Sequence, residues 1–282
     1  MKHALLLAAA SLAALASYSQ TDTTQTIKNR YDTIRIGGML IVKKGPPIID
    51  SGNHKRQWYY GKRKPKKLET SYFTMDFGFN NFIDKTDYTS PAAREYARAI
   101  RPGEAAFTES DFNLRNGKSI NFNLWLVRQK WGITKDRVMQ LTYGLMLETN
   151  NYRYDNNITY VRGSRPYVFR DSLSFSKNKL AADYLTVPVM LGFNTRPGKG
   201  GFTMSAGVSI GYLYSSRNKQ ISEPKGKQKI RGSFDLEPWK FQYIAEIGAG
   251  PVKLYGSYAP QSMYKRGLDI RPFNVGIRFG DW

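Results

Sequence analysis

The sequence predicts an all-β fold, an eight-stranded antiparallel up-and-down transmembrane β-barrel with an N-terminal periplasmic extension. Three observations predict it: a leader composed like an export signal, period-two alternation in runs after residue 70, and connections that alternate between long and short.

The leader comes first. Lys2 and His3 precede an uninterrupted small and apolar run, Ala4 to Ala16. About 13 residues is the length of a signal-peptide core, whereas spanning a bilayer needs roughly 20. Its apolar residues cover every side, unlike those of an amphipathic helix on a folded core. Cleavage after Ala14-x-Ala16 or Ser17-x-Ser19 fits the small-residue rule. The second choice gives a signal peptide at 1–19, a periplasmic basic extension at 20–69 and a barrel at 70–282.

The alternating runs lie near 73–80, 120–126, 139–148, 185–194, 202–215, 239–248, 252–258 and 273–280. In the clearest, Phe202, Met204, Ala206, Val208, Ile210, Tyr212 and Tyr214 alternate with Thr203, Ser205, Gly207, Ser209 and Gly211. This is the period of a strand with two different faces, and most runs approach the roughly 9–11 residues of a tilted membrane strand. Connections near 83–117, 153–180, 216–238 and 259–271 are long, and those near 131–137, 195–201 and 249–251 are short. Long outer loops and short periplasmic turns are the habit of outer-membrane barrels. An even strand number then leaves both termini in the periplasm. After the leader no stretch resembles a transmembrane helix, so membrane entry requires a closed barrel, which satisfies every backbone group in lipid.

The polar face is mostly Gly, Ser, Thr and Asn, where a water-facing surface would carry Lys and Glu. Small residues suit the narrow interior of eight strands, which favours a membrane barrel over a soluble one with an apolar cavity. Aromatics gather toward the ends of the apolar face. Tyr212, Tyr214, Trp239, Phe241, Tyr258 and Phe273 are expected at the outer rim. Phe73, Trp131, Phe193, Phe202, Phe279 and Trp282 are expected at the periplasmic rim. Such rings favour the headgroup zone. Trp282 is out of step with Phe279, Ile277 and Val275.

The run Asp183-Tyr-Leu-Thr-Val-Pro-Val-Met-Leu-Gly-Phe193 and the ending Arg271-Pro-Phe-Asn-Val-Gly-Ile-Arg-Phe-Gly-Asp-Trp282 resemble the PorT-like outer-membrane β-barrel proteins. The extension segment Asp32-Thr-Ile-Arg-Ile-Gly-Gly-Met-Leu-Ile-Val-Lys43 is similar to leaders that precede such barrels. The resemblance implies a barrel fold and outer-membrane location. One member of that large, functionally mixed family is needed for secretion across the outer membrane.

No cysteine is present, which excludes disulfides, a lipid-anchored cysteine and thiolate metal sites. Of two histidines, His3 belongs to the leader and His54 to the extension, so a His-dependent hydrolase site in the barrel is excluded. Ser174-Phe-Ser-Lys177 lacks a helical setting, and Gly117-Lys118-Ser119 lacks the earlier glycine of a phosphate loop. Neither carries weight, and the sequence indicates no enzyme and no cofactor.

The formal net charge of +21 points to an anionic partner. For an exported chain the partners are outer-membrane lipid, lipopolysaccharide or cell-wall polymer, and no nucleic acid. The extension interleaves Lys55, Arg56, Lys62, Arg63, Lys64, Lys66 and Lys67 with aromatics. It reads equally as a contact for headgroups or wall polymer and as a solvated linker. Thr33–Ile36 and Met39–Val42 flank Gly37-Gly38, a two-residue hairpin signal that sets Ile36 against Met39 and Ile34 against Ile41. A lone hairpin is marginal in water, so a protein partner is expected at the extension or at the outer loops.

Asp76, Glu148 and Glu246 share the polar face with Lys240, Lys253 and Arg278. In a dry lumen opposite charges should meet, giving an ion-pair plug; the competing reading is a gate in a narrow pore or transporter for a small solute. Ser90-Pro91 predicts a helix through Ile100 with Ala93, Ala97 and Ile100 on one face. The leading expectation is a plugged membrane anchor or scaffold.

Overall fold

The computed structural model describes residues 32–36, 39–43, 67–197 and 201–280. The leader, Lys55, Arg56, Lys62, Arg63, Lys64, Lys66, the Gly37-Gly38 turn and Trp282 lie outside them. The chain divides into two units, residues 1–62 and 63–282. In the first, β1 (Asp32–Ile36) and β2 (Met39–Lys43) pair antiparallel, with Ile36 opposite Met39 and Ile34 opposite Ile41.

The second unit is a closed ring of eight antiparallel strands. In chain order they are β4 (Thr74–Asp84), β6 (Ile120–Gly132), β7 (Met139–Arg153), β10 (Lys177–Asn194), β11 (Phe202–Ser222), β13 (Trp239–Ala249), β14 (Val252–Tyr258) and β15 (Ile270–Phe279). Each pairs with the next, and β15 returns to β4. All eight alternating runs of the sequence form these strands. A short β3 (Leu68–Ser71) continues the line of β4 along β6, so the barrel wall begins at Leu68.

Alternation becomes burial. On β4, Thr74, Asp76, Gly78 and Asn80 face inward and are buried, while Met75, Phe77 and Phe79 face outward and are exposed. Val189, Leu191, Val208, Ile210, Phe241, Leu254, Val275 and Ile277 continue that outer band. An apolar surface of this extent, encircling a closed barrel, suits contact with lipid.

Two bulges interrupt the alternation. On β11 the register slips between Asp183 and Tyr184 of its partner, leaving Tyr214 as the extra residue. On β6 it slips between Trp125 and Val127, leaving Leu126 as the extra residue. A bulge inserts one residue and reverses the faces beyond it. The second bulge needs a glycine opposite it: a Cβ on Gly144 would sit 2.2 Å from the Val127 carbonyl oxygen.

The long loops are folded. The helix α1 (Pro91–Tyr96) is capped by the Ser90 hydroxyl, which accepts from the Ala93 amide at 3.3 Å. It ends at Tyr96, short of the expected Ile100. From there β5 (Ala97–Arg98) pairs in parallel with β9 (Tyr167–Arg170), which also pairs with β8 (Ile158–Val161). Sheet pairing takes over the backbone groups that a further helical turn would use. Ala93 and Ala97 are buried and Ile100 is exposed, so the expected three-residue face loses its last member. Residues 223–238 include β12 (Gly226–Arg231), which extends the hairpin of β11.

Over the loop end of the lumen these segments build a hydrophobic core. Phe112, Ile158, Val168, Phe234, Leu236, Met263 and Leu268 pack with Tyr152, Leu180 and Tyr184 from the barrel strands. Four of its tyrosines find hydrogen-bond partners within it. Tyr160 shares hydrogen bonds with Tyr154 at 2.6 Å and Tyr264 at 2.8 Å, and Tyr96 donates to the Phe234 carbonyl at 2.6 Å.

Candidate functional site

The lumen below this core is filled by charge. Near the loop end Glu148 of β7 accepts from Lys240 Nζ at 2.6 Å, Gln242 at 3.0 Å, Asn150 at 3.1 Å and Thr186 at 3.1 Å. Lys240 Nζ also lies 4.0 Å from the Tyr184 ring centroid. Six residues further along β13, Glu246 accepts two bonds from Arg128 at 2.8 and 2.9 Å and one from Lys253 at 3.4 Å. Arg278 bridges Glu246 to Asp76, donating to the latter from Nε at 2.6 Å and Nη2 at 2.8 Å. Asp76 also accepts from Trp125 Nε1 at 3.1 Å and Asn123 at 3.2 Å.

Thus all six charges expected in the lumen face inward and are buried, and each meets an opposite charge. Burial makes this pairing decisive, because an unpaired charge there costs several kcal/mol. Rings complete the packing. The Arg278 guanidinium lies 4.7 Å from the Trp125 centroid and 5.6 Å from that of Tyr255. Tyr255 fits because Gly78 and Gly276 face each other beneath it; a Cβ on Gly78 would lie 2.5 Å from its hydroxyl.

Arg128 is the member that the alternation concealed. It follows the β6 bulge, which turns it inward to 0% exposure, 5.2 Å from the Trp125 ring. A signal was present: Leu126 and Trp131 both belong to the apolar face yet stand an odd number of residues apart. Only a parity slip between them reconciles the two.

Among the described residues, two small cavities lie in the lumen. A cavity of about 60 Å³ near the short turns is lined by Glu69, Lys130, Arg137, Gln140, Glu246 and Lys253, among others. Another of about 20 Å³ lies beside Trp125, Met146 and Met190. These hold a few waters at most.

The aromatics lie near the ends of the strands. At the loop end Tyr214, Trp239 and Phe241 are exposed, and Tyr212, Tyr258 and Phe273 are half-buried. Tyr212 packs on Trp239 with centroids 5.0 Å apart. At the turn end Phe73, Trp131, Phe193, Phe202 and Phe279 are exposed. Lys67 places its ammonium 5.7 Å from the Trp131 ring.

Outside the lumen, Arg170 ties the first long loop to the second. It donates to Asp111 at 2.6 and 2.8 Å, to Glu104 at 3.3 Å and to the carbonyls of Ala105 at 2.7 Å and Ala106 at 2.9 Å. Its guanidinium lies 4.2 Å from the Phe107 ring. Burial alone would raise the Asp111 carboxyl, but Arg170 and the Thr108 amide outweigh it and hold it below the ordinary carboxylate range. A depressed carboxyl stabilises above its unfolded pKa, and that contribution disappears as pH falls through the folded value. Proteolysis of residues 85–119 in the folded barrel should therefore accelerate below about pH 4. Asp111→Asn should cleave quickly at neutral pH and lose most of that pH response. An unchanged pH profile in the variant excludes this pair as the loop's acid-sensitive tie.

A protein-family comparison agrees with this architecture. No curated protein matches the chain. Among solved structures it is similar to Ail, the attachment invasion locus protein of Yersinia pestis, in complex with the heparin analogue sucrose octasulfate. The match has 11% identity, 76% coverage of this chain, 99% of that chain and a TM-score of 0.32. The family model described as outer membrane protein beta-barrel domain matches residues 66–280. The chain belongs to that family and is an integral β-barrel of the outer membrane.

Proposed function

We propose that the protein is a sealed outer-membrane anchor, a scaffold that displays its folded loop domain outside the cell and its basic extension in the periplasm. One observation carries this reading: the lumen is occupied from the short turns to the long loops, first by paired charge and then by a hydrophobic core. A filled interior supports anchoring over solute passage. It serves no catalysis on this reading, and the histidine content supports that.

The leader at 1–19 supports export and signal cleavage. The β1–β2 hairpin supports a protein partner at the extension, since two strands alone are marginal. The segments ending at Phe193 and Trp282 support a place among PorT-like barrels, and with it a role associated with secretion.

Reconstituted in planar bilayers, the full-length protein should show no unitary conductance. Steady ion-conducting steps would replace the anchor reading with the pore. Orientation has its own check: on intact cells an impermeant maleimide should label Ser110→Cys and spare Thr24→Cys. The reverse pattern would invert the topology.

A further inference from the structure

Beyond the aromatic end of the outer wall, four adjacent strands carry cations in register. Arg153 of β7 is opposite Lys179 of β10, Lys179 is opposite Lys219 of β11, and Lys219 is opposite Lys229 of β12. One row toward the membrane, Arg217 is opposite Arg231. One row away from it, Ile221 separates Lys177 from Lys227. Their sequence neighbours Asn178, Leu180, Asn218 and Gln220 are buried, so the cationic side faces outward. Asp183 pairs with Arg217, and Lys179 donates to Asn151 at 2.5 Å.

Like charges set directly opposite on a sheet repel. Two rows of directly opposed cations, with a third row in which Ile221 spaces Lys177 from Lys227, are a strange choice for a wall with no other task. A band of this kind is stabilised by a ligand that supplies several negative charges at once, spaced along a surface.

Position selects the ligand. On β10 the cationic face is the same face that carries Leu185, Val187, Val189 and Leu191 against lipid. On β11, Lys219 is five residues beyond Tyr214, roughly 16 Å along a strand and about 13 Å in height at the usual tilt. Whatever covers the band therefore stands on the lipids that cover the wall below it. The geometry points to a binding surface for the phosphorylated headgroups of outer-leaflet glycolipid, made by the outer faces of β7, β10, β11 and β12. The assignment rests on the orientation proposed above.

The test uses the full-length protein refolded in neutral detergent micelles and titrated with lipid A that carries two phosphates or none. Wild type binds the phosphorylated form in preference. Lys219→Gln/Lys229→Gln binds it about 25-fold more weakly, roughly fivefold for each cation removed. Without anionic lipid the double variant melts above wild type, because opposed cations no longer repel; with phosphorylated lipid the order reverses. Lys229→Gln alone, on the exposed β12, repeats both effects at smaller size and serves if the double variant does not fold. Equal binding of the two lipids by wild type overturns the assignment, as does a variant indistinguishable from wild type. Tighter capture of a free sulfated polysaccharide than of the lipid overturns it too and gives the band to a soluble polymer. Micelles have no sides, so these outcomes are independent of the labelling result at Ser110.

Discussion

Glu246→Gln should lower the stability of the folded barrel by about 3–5 kcal/mol, the cost of removing one partner from a buried ion pair. Glu246 accepts from Arg128, Lys253 and Arg278, all nearly inaccessible to solvent, and also from Ser205 at 3.3 Å. The neutral amide keeps the shape and removes the charge, so the effect is electrostatic and not a cavity. On unboiled gels the folded band should disappear at a distinctly lower temperature. Adding Arg128→Met should restore part of the loss, since an apolar replacement of similar volume removes one of the three cations that Glu246 neutralises. A Glu246→Gln barrel as heat-resistant as wild type, and newly conducting, would convert the network from a plug into a gate.

Phe234→Ala should affect the other end alone. The ring is fully buried among Tyr160, Leu236 and Tyr264, and its carbonyl receives the Tyr96 hydroxyl. Truncating a buried Phe costs about 3–5 kcal/mol. Phe234 also holds a positive φ of 49°, which a residue of this size adopts only where its surroundings enforce it. With the anchor gone, protease should cut within 85–119 and 223–238 while the eight-stranded core keeps its heat resistance. Conductance should stay at zero, because the charged tiers below do not depend on the loops. If the barrel melts along with the loops, the two are one cooperative unit and the displayed domain is not separable.

The barrel was legible because its physics is periodic. Each strand announced itself by alternation, and Asp76, Glu148, Glu246, Lys240, Lys253 and Arg278 were readable as lumen charges by parity alone. Parity fails wherever a bulge intervenes, which is how Arg128 escaped notice between Leu126 and Trp131. The loop core was not legible for a different reason. Phe112, Ile158, Phe234 and Leu268 come from four separate segments with no shared period, and only the ring of strands brings them together. The helix at Ser90 was visible by its cap, but its end was not, since its terminator is a strand some 70 residues away at Val168.

The seam between β4 and β15 has a consequence for how the molecule assembles. Asp76 and Arg278, opposite each other in register, are 202 residues apart in sequence. An open sheet would hold them on its two free edges, leaving Asp76 without Arg278 in a medium that cannot solvate it. Only the last strand meeting the first brings them together, and the same closure brings Glu246 of β13 across the lumen to Arg128 of β6. Partly inserted forms are thus disfavoured electrostatically as well as by their unpaired edges, and ring closure acts as a latch. A chain stalled before its final strand would hold an unmatched carboxylate at position 76 inside the bilayer, a built-in mark of incompleteness.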